Sequence, residues 1–147
     1  MDAPPAKVWE LVSDITKIGN FSPETFEAEW LGGATGPAKG AKFRGHVKRN
    51  GRGPVYWTTC TMLECEPEQK FAFGVSVRGD NIVNTWSYEL EPSGEGTNVT
   101  ESFRLTDTRS SRRYWKVAGR ARARTNEHGM RTTLAKIKAA VEAPDTA

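Results

Sequence analysis

Few residues in this chain have both the chemistry and the setting to act on a bound molecule. Glu101 is the first. Between Asn98 and Leu105 apolar and polar residues alternate, the period of a half-buried strand, and Glu101 falls in phase with Val99, Phe103 and Leu105. A carboxylate among apolar neighbours keeps its proton to higher pH, which suits a general acid; the competing reading is a rim carboxylate paired with an arginine. Tyr88, in phase with Trp86 and Leu90, is the second residue with a proton to give. Other chemistries lack their parts. His46 falls between Gly45 and Val47 and so faces water, and His128 lies about 200° round a helix from Met130. Cys60 and Cys65 form a lone C-x4-C pair in or beside one strand, poor geometry for a disulfide or a zinc site, and read as small apolar filler. No nucleophile elbow, phosphate-binding glycine loop or triad is present, so neither a metal nor a cofactor is expected.

Basic residues crowd one segment. Residues 1–108 hold 11 Lys+Arg against 15 Asp+Glu, while 109–147 hold 10 against 3. Arg109, Arg112, Arg113, Lys116, Arg120, Arg122 and Arg124 lie together with no acid among them, and positions 109, 113, 116, 120 and 124 share one helical stripe. Such a stripe invites nucleic acid or an acidic partner. Two features weigh against nucleic acid: the first 108 residues are net acidic, and the aromatic residues alternate inward rather than decorating a basic surface.

The elements that must position these groups follow from periodicity. Residues 2–12 read as a short helix with prolines in its first turn, and 14–23 as a second helix or turn. Six alternating runs follow. In the first, Phe26, Ala28 and Trp30 share a face; in the second, Phe43, Gly45 and Val47. Asn50-Gly51 between the second and third suits a type I′ turn. In the third, Tyr56, Cys60 and Met62 compete with Trp57 and Leu63 for the inner face, a conflict that a bulge reconciles. Phe71, Phe73, Val75 and Val77 alternate in the fourth, and Trp86, Tyr88 and Leu90 in the fifth. Residues 125–143 form the clearest helix, with Met130, Leu134, Ile137 and Val141 on one stripe, and 145–147 are expected to fray. The apolar residues Tyr114, Val117, Ala118 and Ala121 lie about 180° from that stripe, which predicts a break, loop or kink between Gly119 and Gly129. With 147 residues and no long apolar run, the chain reads as one domain, 1–147, of the α+β class, without a membrane span and cytoplasmic.

Local patterns sharpen this order of elements. The opening 2–14, Trp30-Leu31-Gly32-Gly33, Gly40-Ala41-Lys42-Phe43-Arg44-Gly45, Glu66-Pro67 before Phe71, Trp86-Ser87-Tyr88-Glu89-Leu90 and Val99-Thr100-Glu101 resemble the START-like (SRPBCC, Bet v 1-like) superfamily in its polyketide cyclase/dehydrase-like branch. The resemblance implies a helix-grip fold, a curved antiparallel sheet of about six strands around a long C-terminal helix, with an apolar cavity between them. It implies a carrier of a small apolar or amphiphilic ligand or, alternatively, a cyclase or dehydratase acting on a polyketide-like substrate. The expected wall is Trp30, Phe43, Phe71, Phe73, Trp86, Tyr88 and Phe103 under Met130, Leu134 and Ile137, with Asn84 and Tyr88 as polar handles. Arg112, Arg120 and Arg124 are expected at the cavity mouth, where they would favour an anionic head. The superfamily normally has a strand before its Asp-Ala-Pro. Without it, the strand from Asn98 to Leu105 would have a free edge, a surface for pairing with a second copy.

Overall fold

A computed structural model of the chain describes residues 1–76 and 79–144. Val77 and the final residues 145–147, assigned above to a strand face and a frayed end, lie outside the described residues. Helix α1 (Pro5–Val12) starts on its proline, and its Val8 is fully buried. A 3-10 turn (Ile15–Lys17), pinned by the Asp14 carboxylate accepting from the Thr16 N–H at 3.1 Å, leads into α2 (Ile18–Phe21).

The six strands β1 (Thr25–Leu31), β2 (Lys42–Lys48), β3 (Val55–Glu66), β4 (Lys70–Ser76), β5 (Ile82–Ser93) and β6 (Gly96–Leu105) form one antiparallel meander in chain order, curved around the C-terminal helix. Its register slips where periodicity alone conflicts. Between Met62 and Glu64 a bulge puts Leu63 out of register. Up to it Thr58, Cys60 and Met62 are buried and Trp57 lies outside, stacked on His46 with ring centroids 4.1 Å apart. A second slip between Thr25 and Glu27 separates Phe26 from Ala28 and Trp30: Phe26 is exposed and packs on His46 on the outer face. The β2–β3 connection is a 3-10 turn (Arg49–Gly51), followed by Gly53 at φ +85°, in place of the expected two-residue type I′ turn.

Helix α3 (Arg109–Glu142) is one unbroken element of 34 residues, about 51 Å long. The expected break between Gly119 and Gly129 is therefore incorrect. Thr108 caps the helix: its hydroxyl accepts from the Ser111 N–H and the Ser111 hydroxyl accepts from the Thr108 N–H. The inward stripe runs straight through on Gly119, Asn126, Thr133, Ile137 and Val141, all buried. The apolar stripe of the first half stays partly or wholly exposed, with Val117 91% exposed. The helix resolves the phase conflict by burying small and polar residues.

The core gathers Val8, Ile15, Phe43, Met62, Phe71, Leu90, Ile137 and Val141 where α1, α2 and the second half of α3 meet the sheet. On the outer flank of β6, Met1 and Thr97 exchange two backbone hydrogen bonds, each of 2.9 Å; beyond Thr97 that flank has no strand partner among the described residues. No helix of the described residues is long and apolar enough to cross a membrane.

Candidate ligand-binding cavity

The first half of α3 spans the sheet without filling the space beneath it, which leaves a cavity of about 1190 Å³. Its floor is laid in rungs by the β5–β6 register, where inward residues face each other across the pair. Asn84 sits opposite Leu105, then Trp86 opposite Phe103 with ring centroids at 4.8 Å, then Tyr88 opposite Glu101. The next rung, Leu90 and Val99, already belongs to the core. Phe43, Thr58, Cys60, Phe73 and Val75 continue the floor, with Phe43 and Phe73 edge to face at 5.2 Å. Trp115, Arg122, Asn126, Gly129, Met130 and Thr133 of α3 form the roof. Trp115 lies so close over Gly119 that a Cβ there would stand 2.8 Å from its ring, so only glycine lets the indole lie flat at the opening.

Polar groups stand at intervals along this aromatic trough. The Tyr88 hydroxyl donates to Glu101 Oε1 at 2.6 Å, while Glu101 Oε2 is buried without a partner. Burial raises the Glu101 carboxyl and the Tyr88 hydrogen bond offsets part of the rise, leaving it at about 7. Burial, and after it the neighbouring Glu101, hold the Tyr88 phenol well above its ordinary range, so it stays a neutral donor. Asn84 Oδ1 and Asn126 Nδ2 are likewise buried and unpartnered, and these two and Glu101 Oε2 all belong to cavity-lining residues. Cys60 also lines the cavity, but burial raises its thiol to about 12, which leaves it protonated and unreactive.

Near the opening the Arg122 guanidinium donates to both oxygens of Glu24, at 3.0 and 3.1 Å, in a largely buried bidentate pair. It ties the first half of α3 to the segment just before β1. Among the described residues no three of His, Cys, Asp and Glu come together as a metal site.

Of the residues singled out by sequence, Phe43, Phe73, Asn84, Trp86, Tyr88, Glu101, Phe103 and Met130 line the cavity. Phe71 lies beneath it, stacked on Tyr88 at 4.8 Å and met edge-on by Trp9. Trp30 packs behind Phe43, Ile137 is in the core and Leu134 packs against it. Arg112, Arg120 and Arg124 are not in the lining. Arg112 is held by Asp107 in two hydrogen bonds of 2.6 and 2.7 Å, and the unbroken phase of α3 turns Arg120 and Arg124 to solvent. The basic residues that do line the cavity are Arg49, Arg52 and Arg122. Glu24, Asn126 and Thr133 do not stand out in the sequence, and Arg122 does so only as part of the basic segment, because the pattern sought was apolar; counting back from Val141 and Ile137 at intervals of three and four reaches Thr133, Asn126 and Arg122.

A curved antiparallel sheet closed over a long C-terminal helix, with a cavity between them, defines the helix-grip class. The family model described as polyketide cyclase / dehydrase and lipid transport matches residues 1–142, and the chain belongs to that family. Among solved structures it is similar to the polyketide-cyclase-like protein Cgl2372 of Corynebacterium glutamicum, at 26% identity over 100% of this chain and 92% of that one, with a TM-score of 0.58. It shares its fold with TTHA0849 of Thermus thermophilus, at 17% identity over 96% and 91% of the chains and a TM-score of 0.66. It shares it also with CV1439 of Chromobacterium violaceum, at 17% over 98% and 94% and a TM-score of 0.65. No curated protein matches the chain.

Proposed function

We propose that this protein binds a small amphiphilic molecule in the cavity, its apolar body against Phe43, Phe73, Trp86 and Phe103 and a hydrogen-bonding group at the Tyr88–Glu101 rung. The observation that carries this reading is an aromatic trough whose lining also holds a few polar side chains, Asn84, Tyr88, Glu101 and Asn126. Asn84 Oδ1, Glu101 Oε2 and Asn126 Nδ2 are buried without a partner, and a small turn of these side chains toward a bound polar group would pair them. Asn84 Oδ1 is an acceptor, and Glu101 Oε2 is one once the carboxyl ionises, so a hydroxyl or amide N–H is then the complementary group. An anionic head is repelled at the inner end once Glu101 ionises. Each buried CH2 contributes about 0.8 kcal/mol, so about ten carbons supply about 8 kcal/mol, the scale of micromolar affinity before the cost of immobilisation is subtracted, without any catalytic step.

Displacement of a fluorescent fatty-acid analogue by long-chain alcohols, carboxylates and ammonium ions of equal length tests this. The alcohol is expected to compete best above pH 7. Phe103→Ser is expected to weaken every apolar competitor about tenfold or more, since the phenyl face contributes roughly 1.5–3 kcal/mol. Displacement by none of the three would overturn the reading.

A second reading draws on the same pair. Glu101, titrating near 7 and bonded through one oxygen to Tyr88 in the cavity lining, would suit general acid–base work on a polyketide-like substrate. Glu101→Gln separates the two readings: a carrier keeps its ligand, whereas an enzyme loses turnover.

The open flank of β6 suits pairing with the same flank of a second copy, beside the groove lined by Met1, Thr97, Asn98, Val99, Leu134 and Lys138. Light scattering on a size-exclusion column is expected to show a dimer; a monomer at high concentration counts against it.

A further inference from the structure

Of the seven large hydrophobic residues that stand exposed among the described residues, five lie around the opening of the cavity or on the helix above it: Val55, Val83, Tyr114, Trp115 and Val117. The strand register puts the β2–β3 turn, the start of β5, the end of β6 and the start of α3 at one end of the sheet. Arg49, Arg52, Val83, Tyr114 and Trp115 line the cavity there. Val117 is the extreme case. It is 91% exposed, and on its own helical face it is flanked by Arg113, Arg120 and Arg124 at i−4, i+3 and i+7. The acids near these cations are already engaged: Asp107 holds Arg112, and Glu24 holds Arg122. Arg109, Arg113, Lys116, Arg120 and Arg124 carry no ion pair among the described residues. Exposed apolar and aromatic side chains set in an uncompensated basic helix face match a membrane interface, where the rings and the valine enter the headgroup boundary and the cations meet anionic lipid.

We propose that the first half of α3 seats this protein on an anionic phospholipid surface, with Val117 immersed and the Tyr114–Trp115 rim of the cavity turned toward the lipid. Val117 and its basic neighbours lie outside the cavity lining, and only Tyr114 and Trp115 are shared with its rim, so the proposal does not depend on the reading of the ligand. Nucleic acid would also answer to the charge, but it gives Val117 no role.

Co-sedimentation with vesicles of phosphatidylcholine alone, and of phosphatidylcholine mixed with phosphatidylserine, tests the proposal. Binding is expected only to the mixed vesicles and to weaken as salt is added, with each basic residue removed costing about fivefold in partitioning. Arg113→Glu with Arg120→Glu is expected to abolish it. Val117→Leu, which adds one CH2 and no charge, is expected to tighten it about fourfold, and Val117→Asp to weaken it. Fatty-acid-analogue binding without vesicles, run on the same variants, reports the cavity separately, and circular dichroism reports the fold. Three results would overturn the proposal: equal binding to both vesicle types, no response to Val117→Leu, or capture of a generic DNA or RNA oligomer in the absence of vesicle binding.

Discussion

At the scale of single residues the chemistry rests on Glu101 and its bond from Tyr88. Burial holds the Glu101 proton up to about 7, against an ordinary 4.5, so between those values the folded chain binds a proton that the unfolded chain has released. Stability from this group is therefore fully present below about pH 4.5 and is lost as pH rises through 7, a loss on the order of 3 kcal/mol. Urea denaturation of the wild type across this window should fall with pH relative to Glu101→Gln, which has nothing to titrate; parallel curves would show that the carboxyl is not held protonated. Strand alternation was enough to place Glu101 and Tyr88 on one face in the sequence, because a period of two leaves only two faces. It could not place Arg122, whose bond to Glu24 joins residues 98 apart and leaves no periodic trace.

At the scale of elements α3 does the most. Its second half reads clearly in the sequence through Ile137 and Val141. Its first half does not, because Gly119, Arg122 and Asn126 face inward where a hydrophobic pattern is sought. Arg122 is the tether. Its side chain and that of Glu24 are 12% and 21% exposed, so Arg122→Ala removes a bidentate, charge-assisted pair from a mostly buried carboxylate and should cost roughly 1.5–3 kcal/mol in urea unfolding. Replacing both, Arg122→Met with Glu24→Leu, should recover most of that loss, since both charges then leave the largely buried site together. Gly129 works the other way. It lies inside the helix, and a Cβ there would meet only Pro23 Cγ at an ordinary 3.6 Å, so Gly129→Ala should stabilise by about 1 kcal/mol in the same measurement. The slip at β1 shows the same limit of pattern reading: Phe26 keeps the strand's apolar period, yet faces out onto His46.

At the scale of the whole molecule the order of helices, strands and final helix sufficed to place the chain in the helix-grip class, because a lone long helix after a meander has only the sheet to lie on. The cavity was less legible. Inward aromatic residues look alike in a sequence whether they fill a core, as Phe71 does, or line a space, as Phe103 does. What separates them is what stands above them: small and polar residues of α3, Asn126, Gly129 and Thr133, line the cavity and leave no apolar signal in the sequence. The central claim is that this space takes up an amphiphile. Titrating a long-chain alcohol into isotope-labelled protein and following the backbone amide and methyl resonances tests it most directly. The account predicts shifts that saturate and cluster on Asn84, Trp86, Tyr88, Phe103, Asn126 and Met130, with Phe26, Trp57 and the outer face unmoved. Shifts confined to the outer face, or none at all, would contradict it.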